Sequence, residues 1–239
     1  MNINDCVVVI TGASSGLGRA CSTELVARGA KVFGFARRTD RLATMERDLG
    51  PGFKGISCDV TEEDEVNASL QLVIDAACRV DVLVNNAGLG RFGRVDEFSS
   101  AEWDLLMKTN LRGMFLCTKA VVPTMKKQNE TTGFGGHVVN IASVAGLLGN
   151  AVIGAYNVTK FGVRGFSESL MKELRDDGIK VSCVYPGSIE TEFFEVAEVE
   201  ISPNPMQVKD VATTVVQLID TPDNYLISEV VMRPLRPRG

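Results

Sequence analysis

The run Val7-Val8-Val9-Ile10-Thr11-Gly12-Ala13-Ser14-Ser15-Gly16-Leu17-Gly18 decides the fold of this 239-residue chain. Four branched aliphatic residues with no polar interruption describe a strand covered on both faces. The glycines behind them let the backbone turn tightly, and an amphipathic pattern then opens a helix over 17–28. A strand, a glycine turn and a helix N-terminus form a cradle for a pyrophosphate, whose charge sits on amides that the first helical turn leaves unpaired. The spacing is GxxxGxG rather than GxGxxG, and no Gly-Lys-Ser/Thr follows, so the loop is not a P-loop.

The same alternation continues outward from this loop. β-Branched runs predict strands at 6–10, 31–35, 54–57, 81–84, 137–142, 179–184 and 226–232. Amphipathic patterns predict helices at 17–28, 40–49, 62–78, 102–128, 154–176 and 207–220. Thr61 ahead of Glu62, Glu63 and Asp64, and Ser100 ahead of Glu102, read as helix caps, while Gly29 and Gly178 read as stops. The runs Val82–Val84 and Val138–Ile141 do not alternate either, so the sheet is parallel with helices on both faces. The irregular stretches are 129–136 and 186–206. With no repeat and no linker, residues 1–239 read as a single doubly wound α/β domain on a mostly parallel seven-stranded sheet.

Composition narrows the partners. Twenty-five basic and 30 acidic residues give a net charge of −5, and 45% of residues are hydrophobic, which excludes a disordered or fibrous chain. The absence of a basic block argues against nucleic acid or an anionic membrane as partner. The six cysteines, at 6, 21, 58, 78, 117 and 183, form no CxxC and sit mostly in apolar runs. They read as small buried hydrophobes in a reducing compartment, with neither a disulfide framework nor a metal site. Residues 138–159 are uncharged but carry Asn140, Ser143, Asn150, Tyr156, Asn157 and Thr159, a polar density that suits strand, loop and helix start better than lipid. The start, Met1 to Asp5, lacks a signal-peptide pattern, and the expected location is the cytoplasm.

The second strand ends in Ala36-Arg37-Arg38, where a domain that binds NAD carries a carboxylate for the ribose 2′-hydroxyl. No acid appears before Asp40. A guanidinium there can grip a 2′-phosphate through paired charge-assisted bonds, so NADP(H) is preferred. Arg37 is the first choice for that grip and Arg38 the second, with the Ser14 hydroxyl assisting; a solvated arginine pair is the alternative. Further on, Tyr156 and Lys160 lie four apart at a helix start, so their side chains share a face. A phenol titrating near ~10 is a poor proton shuttle at neutrality, and a nearby lysine ammonium and the positive nicotinamide of an oxidised cofactor both lower it.

The Thr11–Gly18 loop, Asn85-Asn86-Ala87-Gly88, Ser143 thirteen residues before Tyr156, and Pro186-Gly187 with Thr191 together resemble the short-chain dehydrogenase/reductase family, from Val7 to about Val231. That resemblance implies a Rossmann-like fold and a catalytic set of Asn110, Ser143, Tyr156 and Lys160. Ser143 would hydrogen-bond the substrate oxygen, Tyr156 would act as general acid or base, and Lys160 would also hold the nicotinamide ribose. Asn110 would distort its helix and hold a water that links Lys160 to solvent. The cofactor would lie along Gly12, Ser14, Ser15, Gly16, Leu17 and Gly18. Asp59 and Val60 would cup its adenine, Asn86 and Gly88 would line its ribose side, and Ile189 and Thr191 beyond Pro186-Gly187 would clasp its carboxamide.

The implied activity is NADPH-dependent interconversion of a carbonyl and a secondary alcohol on a small molecule. A 3-oxoacyl-carrier-protein is one candidate substrate, and a non-catalytic redox sensor is the alternative from another class. Substrate contacts are expected from Leu89, Phe92, Leu147, Leu148, Phe193, Phe194 and Met206, with Arg91, Asn150 and Glu192 as polar points. Family members pair helices equivalent to 102–128 and 154–176 across a two-fold axis, which implies a homodimer or homotetramer. The ending Arg233 to Gly239 departs from the family pattern and reads as a solvated tail, and His137 reads as structural.

Overall fold

Every predicted strand appears in the computed structural model, which describes residues 2–193, 197, 201 and 203–237. The strands are β1 (Val7–Thr11), β2 (Lys31–Ala36), β3 (Phe53–Ser57), β4 (Val82–Asn85), β5 (Gly136–Ile141), β6 (Ile179–Pro186) and β7 (Glu229–Met232). They form one sheet in the order β3-β2-β1-β4-β5-β6-β7, and every neighbouring pair is parallel. Around it lie α1 (Gly16–Ala27), α2 (Thr39–Leu49), α3 (Glu63–Ala77), α4 (Ser100–Met107), α5 (Gly113–Thr132), α6 (Gly154–Leu174) and α7 (Val208–Ile219).

Uninterrupted aliphatic strands bury residues on both faces, so each face needs its own helical layer. Val8, Ile10, Val84 and Val184 point to one side, where Leu25 of α1 and Val215, Val216 and Ile219 of α7 pack on them. Val9, Leu83, Val138 and Val181 point to the other, beneath Val73 of α3, Val121 and Met125 of α5 and Leu174 of α6. The chain winds outward from β1 to β3, then returns to β4 on the other side of β1. Connections therefore diverge between β1 and β4 and leave a crevice at their carboxyl ends.

Several local expectations are corrected. The single helix over 102–128 is interrupted by a π segment at Lys108–Arg112, between α4 and α5. Its far end runs on to Thr132, into the stretch read as loop, and stops where Gly133 adopts φ +76°. The cap of α4 is Ser99 rather than Ser100, its Oγ accepting the Glu102 amide at 3.2 Å. Helix α3 has no side-chain cap: the Thr61 amide donates to the Asp59 carboxylate, and Glu63, Asp64 and Glu65 supply negative charge at the first turn. Cys78 is exposed in a left-handed conformation (φ 59°), while the other five cysteines are buried. β7 is also shorter than expected and begins at Glu229.

His137 is fully buried, and burial, then the charge of Lys180, hold its imidazole down at about 3. The Ser182 hydroxyl donates to the Ile227 carbonyl, which leaves its oxygen to accept from His137 Nε2 at 2.8 Å. Among the described residues no helix is long and apolar enough to cross a membrane. No cluster of three His, Cys, Asp or Glu able to hold a metal occurs among them either. Because Ile219 is fully enclosed between α7 and the sheet, Ile219→Ala should cost about 2–5 kcal/mol. Urea denaturation should show this as a lower midpoint with an unchanged slope.

Candidate active site

The crevice is built from strand ends. Gly12 holds φ +66°, and a Cβ there would stand 2.9 Å from the Ala87 Cα. A Cβ at Gly18 would collide with the Gly12 carbonyl and stand 2.6 Å from Asn86 Nδ2. These glycines let the loop after β1 lie against the turn after β4. Thr11 Oγ1 accepts both the Asn86 amide (3.0 Å) and the Ala87 amide (2.9 Å), and Asn86 Nδ2 donates back to the Thr11 carbonyl (2.9 Å). Gly88 lies beyond this turn, where a Cβ would be 3.3 Å from Asn110 Oδ1 and 3.8 Å from Lys160 Nζ.

The residues fit a pyrophosphate. Ser15 at the start of α1 makes no side-chain cap bond, and the first turn carries no acid, whereas α2, α3 and α4 each place at least one there. The amides of α1 thus keep their affinity for an external anion. Gly16 sits in the left-handed region at φ +50°, with Thr191 standing next to it. Leu17 buries its side chain in the core, which leaves its main chain to line the loop.

After β2, the arginine that the sequence ranks second is the one that reaches the phosphate loop. Arg38 Nε donates to Ser14 Oγ (3.2 Å) and Nη2 to Ser15 Oγ (2.5 Å), so this guanidinium lies over the loop. Arg37 points outward, 67% exposed, toward Asp59 Oδ2 at 3.7 Å. Burial would raise the Asp59 carboxyl, but the Thr61 amide and hydroxyl, and then Arg37, outweigh it and hold it below its ordinary value. Val60 is buried and packs against Gly113.

Tyr156 and Lys160 project from one face of α6, and Ser143 ends the link after β5. Asn157, which sequence reasoning passed over, holds this part together. Its Nδ2 donates to the Ala145 carbonyl (2.6 Å) and the Leu148 carbonyl (3.0 Å), and its Oδ1 accepts the Asn150 amide (3.2 Å). The signal available was its place inside Tyr156-Asn157-Val158-Thr159-Lys160, a buried amide in the first turn of a helix. Ser143 Oγ accepts the Ala145 amide at 3.1 Å and approaches the Pro186 carbonyl at 3.4 Å. Asn110, in the π segment, is tied up by its neighbours: its amide exchanges two bonds with the Leu89 backbone (2.9 Å each) and donates to Thr159 Oγ1 (3.1 Å).

Lys160 Nζ donates to the Ile141 carbonyl (3.0 Å) and stands 5.6 Å from the centroid of the Tyr156 ring. Burial pulls the ammonium down to about 8. Burial also pushes the Tyr156 phenol up to about 12, and a hydrogen bond with Ser143 offsets part of that rise. Without a bound cofactor, burial sets the phenol; the sequence reading assigns its lowering to Lys160 and a positive nicotinamide together, and the second charge comes only with the cofactor.

Two aromatic rings cover Tyr156: Phe92 edge-on at 5.5 Å between centroids and Phe193 tilted at 5.7 Å. Leu89 packs in the same cluster, and Leu148 is exposed at its border. Leu147 belongs instead to the core around Tyr185. Met206 makes a bridge with Ile189 that ties down the segment after Gly187, and both side chains pack, partly buried, against the core. Asn150 borders an outer groove with Trp103, Val152 and Val158. Glu192 pairs with Arg41 (2.7 Å) and Arg38 (3.5 Å) rather than facing substrate. Pro234 packs over Gly187, so the C-terminal segment touches the end of β6 before Leu235 turns outward. Phe194 and the last two residues lie outside the described ones.

A parallel doubly wound sheet with a glycine cradle at its switch point defines a nucleotide-binding protein of the dinucleotide class. The short-chain dehydrogenase family model matches residues 6–200, and the chain belongs to that family. An uncharacterized oxidoreductase of Staphylococcus epidermidis is 30% identical over 98% of this chain and 99% of its own length. A 3-oxoacyl-[acyl-carrier-protein] reductase FabG of Vibrio cholerae is 38% identical over 80% of this chain and 77% of its own. Among solved structures, a metagenomic short-chain oxidoreductase in complex with NADP is 34% identical with a TM-score of 0.84, covering 98% of this chain and 99% of that one.

With no cofactor added, ultraviolet difference titration of the wild type and Tyr156→Phe should superimpose below about pH 10. An additional tyrosine ionisation in the wild type near pH 8 would mean that Lys160 lowers the phenol unaided.

Proposed function

We propose that this chain is an NADPH-dependent oxidoreductase that interconverts a carbonyl and a secondary alcohol. The observation that carries the reading is the buried Tyr156 phenol beside Ser143, with Lys160 Nζ 5.6 Å from its ring, at the carboxyl ends of the strands. Ser143 and Tyr156 would both donate to one substrate oxygen, which stabilises the negative charge that grows there. A bound nicotinamide would supply or accept the hydride at the adjoining carbon. In the reducing direction the Tyr156 proton passes to that oxygen, and in the oxidising direction the phenolate takes it back. Lys160 would hold the ribose hydroxyls and add positive charge near the ring, and Asn110 is a positioning residue, joining α6 to the loop after β4 through Thr159 and Leu89.

NADP is supported over NAD by Ala36 at the end of β2 and by Arg38 beside Ser14 and Ser15. The similar structure in complex with NADP agrees. Arg38, Ser14 and Ser15 would hold the 2′-phosphate, with Arg37 at its margin; Asp59 and Val60 would cup the adenine, Asn86 and Gly88 would line the ribose side, and Ile189 and Thr191 would clasp the nicotinamide. The likeness to the Vibrio cholerae reductase favours a 3-oxoacyl group as substrate, and Leu89, Phe92 and Phe193 offer it an apolar lining. The intact Tyr156 and Lys160 argue against a non-catalytic sensor.

Tyr156→Phe should lower turnover roughly a hundred- to ten-thousandfold while NADPH still binds; turnover above about a tenth of wild type would refute the acid role. Arg38→Ala should weaken NADPH binding about ten- to a hundredfold and leave NADH nearly unchanged, because one charged hydrogen bond is worth about 1.5–3 kcal/mol. Arg37→Ala should have the smaller effect. A wild type that prefers NADH in kcat/KM would overturn the cofactor assignment.

Assembly belongs to the same proposal. Trp103, Phe115, Val158 and Phe161 are all exposed on α4, α5 and α6. A second copy of the chain, related by a two-fold axis, would cover them. Light scattering should give a multiple of the 25.8 kDa chain mass, and a monomer at micromolar concentration would contradict this.

A further inference from the structure

Ser143 and Tyr156 reach the crevice from different elements. Tyr156 rises from the first turn of α6, while Ser143 belongs to the link after β5, where its side chain caps the short turn Val144–Gly146. Their relative position therefore depends on what joins that turn to α6. Gly146 lies so close to the helix that a Cβ there would stand 2.6 Å from the Lys160 carbonyl oxygen. Packing of this kind sets a distance but not a direction. Direction comes from Asn157, buried one residue after Tyr156. Its Nδ2 donates to the Ala145 carbonyl at 2.6 Å and the Leu148 carbonyl at 3.0 Å, and its Oδ1 accepts the Asn150 amide at 3.2 Å. The same stretch carries a strained residue: Val152 is β-branched yet holds φ 60°, with its carbonyl accepting the Gly93 amide at 2.7 Å. Such a conformation persists only where neighbouring contacts over-determine it, and the Asn157 bonds hold the chain just ahead of it.

Ala145 is where the two halves meet. Its carbonyl is held by Asn157, and its amide donates to Ser143 Oγ at 3.1 Å. A hydroxyl has one proton to give and two lone pairs to receive with. The Ala145 amide occupies one lone pair of Ser143. The proton is held only by the Pro186 carbonyl at 3.4 Å, long for a bond between two oxygens, so it can pass to a better acceptor in the crevice. Donation by the amide also polarises the hydroxyl and strengthens the bond it makes next. We propose that Asn157 is a positioning residue for Ser143: by tying the Ala145 and Leu148 carbonyls to α6, it sets the Ser143 hydroxyl beside Tyr156 and turns its proton into the crevice. The inference rests on the acid–base reading of Tyr156 and deepens it. The aim of the Ser143 donor then depends on a side chain whose own polar atoms are all spent on backbone.

The test is a double-mutant cycle on the Tyr156 phenol, with NADP bound in its oxidised form and no substrate present. Ultraviolet difference titration compares each protein with its Tyr156→Phe counterpart. Ser143→Ala should raise the phenol by about one pH unit, the scale of one hydrogen bond to a charged oxygen. Asn157→Ala should raise it by at least about half a unit alone, but by less than about 0.2 unit once Ser143 is already alanine, because a residue acting through another adds nothing when that other is gone. Where Asn157→Ala does not fold, Asn157→Ser, which keeps one donor, takes its place in the cycle with the same outcomes required. Equal rises in both backgrounds would mean that Asn157 acts through Lys160 or the general packing of α6, and would overturn the inference. A phenol moved by Ser143→Ala but untouched by the Asn157 variant would also overturn it and leave the acid–base reading standing. A phenol that stays above about pH 10 in the wild-type complex, or that ignores Ser143→Ala, would overturn that reading and the inference with it.

Discussion

The hydroxyl of Thr11 receives the amides of Asn86 and Ala87, and most of the site depends on that junction. It joins the loop that follows β1 to the turn that follows β4, two segments far apart in sequence. Pairing of Ile10 with Val84 brings the two strand ends level, so their loops meet edge to edge. Gly12 and Gly18 keep side-chain atoms out of the seam. Once β1 and β4 are fixed, β5 and β6 follow in parallel register, with Asn85 opposite Asn140 and Asn140 opposite Cys183. Ser143 then emerges one strand from Gly88, and Gly187 one strand further. The candidate site is a row of strand ends before it is a set of side chains.

Behind that row lies a polar seam in an otherwise aliphatic sheet. Asn85 Nδ2 donates to Asn140 Oδ1 and Thr118 Oγ1, and Asn140 Nδ2 donates to Ser167. Buried amides cost free energy unless paired, so this chain of bonds penalises any slip between β4, β5, α5 and α6. Aliphatic packing alone tolerates small shifts; directional bonds do not. The seam fixes where α6 sits along the sheet, and with it where Tyr156 and Lys160 emerge.

The strands and their parallel order were legible because the runs around Val8, Leu83 and Val139 carry no polar alternation. The loop around Gly12 was legible because few arrangements need three glycines between a strand and a helix. Other features turn on geometry that composition does not encode. The family resemblance implies a distortion at Asn110, but the composition of Lys108-Thr109-Asn110-Leu111-Arg112 does not mark a π segment, since no glycine or proline interrupts it. Whether Arg37 or Arg38 turns inward depends on the backbone angle at the end of β2. Ser99 and Ser100 are chemically equal caps, and one residue of helix phase chooses between them. The pairing of Glu192 with Arg38 and Arg41 joins residues more than 150 positions apart and left no trace in local pattern. The height of the Tyr156 phenol reflects burial by Phe92 and Phe193, which a count of nearby charges misses.

The burial of the one histidine bears on how the protein meets changes in acidity. An imidazole is the side chain that ordinarily responds between pH 6 and 7, and His137, held down at about 3 inside the sheet, stays uncharged there. Lys160, drawn down to about 8, responds on the alkaline side instead. Its folded value lies below the ordinary 10.5 of lysine, so between about pH 8 and 10.5 the unfolded chain binds more protons at this position than the folded one. Lys160 therefore adds to stability as the medium becomes alkaline, while its own positive charge fades beside Tyr156. Alkali firms the scaffold at this residue and disarms it in the same step.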